Sequence, residues 1–253
     1  MIRPFGIPLR GPCRCTAAVV LLCFSVVVAL PASAQDPLQR YPQNYKLILD
    51  NPEVAVIRVH YGPHETVGVH DHSDLPTLFV YLNDSGRVRF RIEDIPPSVL
   101  ERQPAKLGSF RYSPGRRERH TVENLSDMSS DFLRIELKQF PLQGGTTFRH
   151  DAPASLATPG ATTEFRNGQV EVERVVCSAA ATCKLAPAAE PSVLVALSEI
   201  VVNGSSQPAG AMRSGDVRWI NADETPSVAG SSNGPAHLLR IRVKAPKAGA
   251  PNS

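Results

Sequence analysis

Residues 68–82 read GVHDHSDLPTLFVYL. His70 and His72 stand two residues apart, just ahead of a run of β-branched and aromatic residues. In a strand, side chains at i and i+2 point to the same face. Such a segment aims two imidazoles at one point and turns Asp71 away. That is how a strand offers a metal two ligands. Two surface histidines read the same way, so the rest of the chain has to decide.

Working outward, short strand-like runs fill the chain from Val54 onward. They are residues 54–59, Thr66 to His70, Thr77 to Leu82, Arg87 to Ile92, Phe110 to Tyr112, Thr121 to Glu123 and Phe132 to Lys138. Gly, Pro, Asn and Asp punctuate them, and helical periodicity is nearly absent. Many short strands with turns between them predict an all-β sandwich or barrel.

The pattern then occurs a second time. NPEVAVIRV (51–59) has a counterpart in NGQVEVERV (167–175), and LPTLFVYL (75–82) in EPSVLVAL (190–197). GSFRY (108–112) matches GDVRW (215–219), and FLRIELK (132–138) matches LLRIRVK (238–244). The order is kept, which is the signature of an internal repeat. Two β domains are expected, at 41–140 and 164–244. The Gly-, Ala-, Thr- and Pro-containing segment 141–163 reads as a linker, and 245–253 as a frayed tail.

The first 34 residues read as a Sec-type signal peptide. Arg3, Arg10 and Arg14 form a basic start, Ala17 to Leu30 an apolar run, and PASA (31–34) an Ala-x-Ala site with cleavage expected after Ala34. The apolar run is short for a membrane span. The expected location is therefore periplasmic or secreted, with no membrane attachment after cleavage. The formal charge of the full chain is +3. The leader takes three arginines with it, which leaves a near-neutral chain. No basic stripe with interleaved aromatics points to a nucleic acid. Of five cysteines, Cys177 and Cys183 stay, and in an exported protein a close pair reads as a disulfide. A loop that short contributes about 2 kcal/mol in the chain-entropy picture.

A third histidine has a specific setting. GSFRYSPGRRERHTVEN (108–124) reads G-x5-P-G-x4-H-x3-N and places His120 between Gly108, Pro114 and Gly115 on one side and Asn124 on the other. With Gly62, His70, His72 and Gly86 ahead of it, this resembles the cupin superfamily, whose pattern is G…HxH…E…G followed by G-x5-PxG-x2-H-x3-N. The resemblance covers about Asn51 to Lys138, while the second domain shares the strand pattern without the ligands. It implies two jelly-roll β-barrels, the first with a metal site and the second degenerate. By position, His70, His72 and His120 would bind one divalent transition metal (Fe, Ni, Cu, Mn or Zn). The family's glutamate falls at Pro76 or Thr77, so the usual carboxylate ligand is missing. Thr77 is a weak substitute, and Asp74 reaches only if its turn folds inward.

With the repeats aligned, His70 and His72 fall near Leu185 to Ala188, and His120 falls on Ser227. The second domain's one histidine, His237, lies outside the motif. Strand parity turns Phe79 and Tyr81 inward with Thr77. Tyr81 is the candidate catalytic residue, since a phenol beside a metal can orient substrate or donate a proton. Tyr112 is a weaker candidate on the same reasoning. Val88, Phe90 and Ile92 share a core face, and Arg87, Arg89 and Arg91 a solvated one. Arg116, Arg117 and Arg119 form a charged turn before His120. His60 and His64 read as surface residues.

Three functions remain open. One, which the cupin resemblance implies, is a three-histidine metal-dependent oxygenase acting on a small molecule or, among enzymes, an isomerase of sugars or sugar acids. A neutral ligand set leaves the metal's +2 charge available to an anionic substrate. Another is a metal- or small-molecule-binding protein without turnover. The last is a scaffold whose histidines are remnants. Pairing of the domains within one chain or between chains, as a homodimer, is left open. Fold does not choose among these readings.

Overall fold

The computed structural model describes residues 36–246 apart from 94, 142–144, 157, 205–207 and 231–233. The signal-peptide segment and residues 247–253 of the expected tail lie outside the described residues. A single helical turn, α1 (Pro37–Arg40), is capped by Asp36, whose carboxylate accepts from the Leu38 amide. Strands follow. The first set is β1 (Tyr45–Asp50), β2 (Val54–Tyr61), β3 (Thr66–His72), β4 (Thr77–Tyr81), β5 (Val88–Ile92), β6 (Ser98–Arg102), β7 (Phe110–Ser113), β8 (Glu118–Asn124) and β9 (Ser130–Leu137). After β10 (Phe148–His150) comes a second set. It comprises β11 (Gly160–Arg166), β12 (Val170–Cys177), β13 (Thr182–Lys184), β14 (Ser192–Ala196), β15 (Ile200–Asn203), β16 (Gly210–Met212), β17 (Val217–Ile220), β18 (Ser227–Gly230) and β19 (Ala236–Val243).

The two sets have one topology. The first makes a sheet of order β1-β2-β9-β4-β7-β10 and a second of order β3-β8-β5-β6. The other makes β11-β12-β19-β14-β17 and β13-β18-β15-β16. Strand for strand the orders coincide, and all pairings are antiparallel. The chain is therefore two jelly-roll barrels, as the repeat predicts. β10 has no counterpart, and β1 and β6 were not foreseen.

Alternation along the strands decides what each barrel encloses. On β4, Leu78 and Val80 point one way while Phe79 and Tyr81 point into the first barrel; on β14, Val193 and Val195 oppose Leu194 and Ala196. The outward residues of both barrels meet in one cluster, in which Val54, Val56, Leu133 and Ile135 pack with Val170, Val172, Leu239 and Ile241. The first interior is rich in aromatics (Tyr45, Tyr61, Phe79, Tyr81, Phe132), the second in aliphatics. The barrels therefore share a core and form one compact unit among the described residues. This corrects the expectation of a structureless linker. Residues 148–150 add β10 to the first barrel and residue 160 already opens β11, because the exposed edges of β7 and β12 offer unpaired backbone groups to be satisfied. Cys177 and Cys183 form the expected disulfide pair, with Cα atoms 6.0 Å apart.

The motif residues explain themselves locally. Gly108 has φ +79°, and Gly215 repeats it at +87° ahead of β17. Gly115 has φ +94°, and a Cβ there would meet the Asp74 carbonyl at 2.4 Å. Asn124 is buried and donates to the Gly62 and Met128 carbonyls at 2.7 and 2.8 Å, tying two loops to β8. On the outer face of β5, Arg89 pairs with Glu101 and Glu123, the solvated face expected for that arginine row.

Candidate metal centre

His70 and His72 sit near the end of β3, and His120 sits opposite His70 on β8. The pairing slips between Val67 and His70, where β3 bulges at Gly68 and Val69. The Tyr41 hydroxyl packs against Gly68, so a side chain there would displace it. Past the bulge, His70, His72 and His120 are brought together. The ring centroids lie 4.8 Å apart for His70–His72, 4.8 Å for His70–His120 and 5.1 Å for His72–His120. One nitrogen from each ring falls within 4.8 Å of the other two.

Hydrogen bonds set the rings. Nδ1–H of His70 donates to the Gly68 carbonyl at 2.8 Å, which leaves Nε2 with a free lone pair. That Nε2 lies 3.1 Å from Nε2 of His72 and 2.8 Å from the hydroxyl of Tyr45. Tyr45 in turn meets the Tyr61 hydroxyl at 2.8 Å. His120 is 3% exposed, and neither of its ring nitrogens has a hydrogen-bond partner among the described residues. The Glu118 carboxylate stands 3.6 Å from its Nδ1, beyond hydrogen-bond reach. Buried polar atoms without partners are rare. An imidazole held this way could take a metal ion.

The electrostatics keep these rings neutral. Burial, then His70 and Arg134, holds His120 down at about 3. Burial and Arg134 hold His72 well below its usual range, and burial lowers His70. Neutral imidazole is the form that binds a metal. Burial also raises the phenols, Tyr61 to about 12 and Tyr45 well above its usual value, so both stay protonated. Three convergent neutral imidazoles therefore fit a transition metal of the kind that takes nitrogen ligands.

No carboxylate completes the set among the described residues. Asp74 is exposed on its turn, and the Thr77 hydroxyl donates to the Leu75 carbonyl at 2.9 Å. The hydroxyl of Tyr45 is instead the side-chain oxygen in contact with His70 Nε2, at 2.8 Å. Sequence reading missed Tyr45, because β1 lacks the alternation that marked the other strands. It also missed Glu118, although i and i+2 parity with His120 would have found it.

A small pocket, with a cavity volume of about 30 Å³, adjoins His72 and His120. Tyr45, Tyr61, Phe79, Tyr81 and Phe132 wall it, and Glu118, Arg102, Arg111 and Arg134 supply its charges. Tyr81 is placed on this wall, with the Arg102 guanidinium over its ring at 4.9 Å. Tyr112 is not: it packs in the core shared by the barrels and donates to Gln169 Oε1. The inward parity of β4 turns residues 79 and 81 to the pocket, while β7 turns residue 112 the other way. His60 and His64 are exposed and pair with Asp131 and Asp127. Arg119 turns outward to Glu93 and Asp71, whereas Arg116 lies at the pocket mouth beside Glu118.

No protein-family model matches the sequence, and no curated protein matches it. Solved structures do. AerE from Microcystis aeruginosa superposes with a TM-score of 0.57 at 11% identity, over 79% of this chain and 97% of that one. The bacterial pirin YhhW from Escherichia coli, solved in complex with nickel(II), gives 0.57 at 14% identity, over 80% and 91%. Salicylate 1,2-dioxygenase from Pseudoaminobacter salicylatoxidans gives 0.51 at 11% identity, over 76% and 70%. At such identities the likeness is one of fold.

Proposed function

We propose that this cupin-fold chain is an exported protein that holds one divalent transition metal through His70, His72 and His120 and performs oxygenase-type chemistry on a small molecule. The cupin fold itself is established by the neighbours just described. The observation that carries the reading is His120, fully buried with two unpartnered nitrogens and facing two more neutral imidazoles. The leader-like start and the Cys177–Cys183 pair support export to an oxidising compartment.

A bound metal would supply Lewis acidity and open positions for oxygen and substrate. The chain's own residues do the rest. Gly68 fixes the tautomer of His70, and Tyr45 places a hydroxyl beside its Nε2. Aromatic walls exclude water from the pocket and offer flat apolar contacts. Tyr81 lies on that wall as a proton donor or substrate-orienting phenol. The test is metal content of the untagged mature protein beside the His70→Ala/His72→Ala/His120→Ala variant, followed by oxygen uptake with small acids, thiols and enols. About one metal per chain, lost in the variant, with uptake by the loaded protein supports the reading. Equal metal in both proteins overturns it.

One observation favours a second reading, binding without turnover: the usual carboxylate ligand is missing from the cluster. It expects thermal stabilisation by a small ligand with no product formed.

A further inference from the structure

The pocket carries charge that its surroundings do not neutralise. Arg134 is satisfied, since its Nε donates to Glu136 at 2.7 Å and its Nη2 to the Ser73 carbonyl at 3.3 Å. Arg102 is 6% exposed and donates only through Nη2, to Ser85, Gly86 and Ser130. Its Nε and Nη1 are buried and have no acceptor. Arg111 makes no ion pair or hydrogen bond through its guanidinium among the described residues. Its Nε is buried and unpartnered, and the guanidinium lies 4.1 Å from the Phe79 ring centroid. The groups facing Arg111 are Tyr81, Glu118, Arg149 and Arg134. Tyr81 and Glu118 attract it; of these only Glu118 is a carboxylate, and Arg116 already holds it.

The second barrel supplies an internal control. Register pairs Arg111 with Phe79 in the first barrel and Arg218 with Leu194 in the second. Arg218 donates to the Val202 and Pro208 carbonyls, so the same position is satisfied in the barrel whose interior is an aliphatic cluster. β10, present only in the first barrel, adds Arg149 opposite Arg111. With Arg116 it gives the pocket mouth a positive rim that draws anions inward.

We propose that Arg111 and Arg102 hold the anionic group of a small organic carboxylate inside the first barrel, with its body among Phe79, Tyr81 and Phe132. The inference rests on the proposed small-molecule site for its setting and adds the substrate class. A carboxylate's two oxygens can accept from two guanidiniums at once, and the aromatic walls call for an apolar body. Leaving buried guanidinium donors empty is costly, so the free protein keeps them for a ligand.

The test is calorimetric titration of metal-free and nickel-loaded protein with benzoate, hexanoate and succinate, with benzamide as neutral control and inorganic phosphate as the competing anion. At least one carboxylate is expected to saturate while benzamide does not. Arg111→Met should weaken that binding by more than about tenfold, and Arg111→Lys by less. Because the lost charge has no partner, Arg111→Met should melt at or above the parent's temperature. The proposal is overturned by no carboxylate binding in either state, by binding of phosphate alone, by unchanged binding in Arg111→Met, or by a marked drop in its melting temperature. The triple-histidine variant separates the two readings. Carboxylate binding by a parent protein that takes up no metal ends the metal reading and keeps this one, whereas metal lost in the triple-histidine variant with no carboxylate bound by the parent does the reverse.

Discussion

Position for position, Tyr61, Phe79, Tyr81 and Phe132 of the first barrel stand where the second has Cys177, Leu194, Ala196 and Leu238. Large rigid rings hold walls apart around a polar pocket, whereas smaller side chains close in and fill the space as one aliphatic cluster. The strands that carry the histidines differ too. β3 and β8 run seven residues each, while β13 and β18 run three and four. The missing length is the end that bears the site. Register puts Pro226, one residue from the expected Ser227, where the first barrel has His120. The second barrel's buried histidine, His237, is engaged: Arg174 Nη1 donates to its Nε2 at 2.7 Å. One topology thus yields a site or a solid core, depending on side-chain volume and on how far two strands extend.

The contrast can be broken at several points. The largest effect should come from His120→Ala, which is expected to take metal from about one per chain to near none, while His237→Ala leaves it unchanged. Elemental analysis of both proteins decides this, and equal loss in the two would erase the distinction between the barrels. Next, Leu194→Ala should cost about 2–5 kcal/mol by denaturant unfolding, since it opens a cavity in a filled core. Phe79→Leu, at the matching position beside an existing pocket, should cost less. A reversal would mean that the first interior is as tightly packed as the second.

A pH series follows. Burial and then Arg174 lower His237 to about 4, below its usual 6.5. The unfolded chain therefore takes up this proton first as pH falls. The stability tied to His237 is complete above about 6.5 and declines on the way down to 4, by roughly 2–3 kcal/mol. In metal-free protein, His237→Gln should lose less stability than the parent between pH 7.5 and 4.5; parallel curves would show that this histidine is not the cause. The smallest effect is Tyr45→Phe. Removing the hydroxyl beside His70 should weaken metal binding by about tenfold, read by chelator competition, with the fold intact. No change would leave Tyr45 as wall alone.

Much of this was legible in advance. The repeat could be read because paired strands need the same apolar alternation in both copies. His70 and His72 declared a shared face through parity, and His120 through its glycines and Asn124. The residues that escaped did so for physical reasons. β10 and the start of β11 carry weak patterns of their own and exist because sheet edges elsewhere recruit them. Tyr112 looked like Tyr81 in composition, but neighbouring strands turn them to opposite faces. Arg111 and Arg102 were ordinary arginines in strand-like text, since nothing local shows that a guanidinium lacks an acceptor.

The sequence by itself determined the all-β class, the duplication and the identity of the three histidines, because strand alternation and turn chemistry act over a few residues. Long-range packing alone makes the barrels share a core, brings Tyr45 to His70 from 25 residues away, and leaves Arg111 Nε with Nε and Nη1 of Arg102 without acceptors among the described residues. Those facts depend on contacts between distant segments, and a hydrogen bond left unmade is visible only when everything that could have made it is in place.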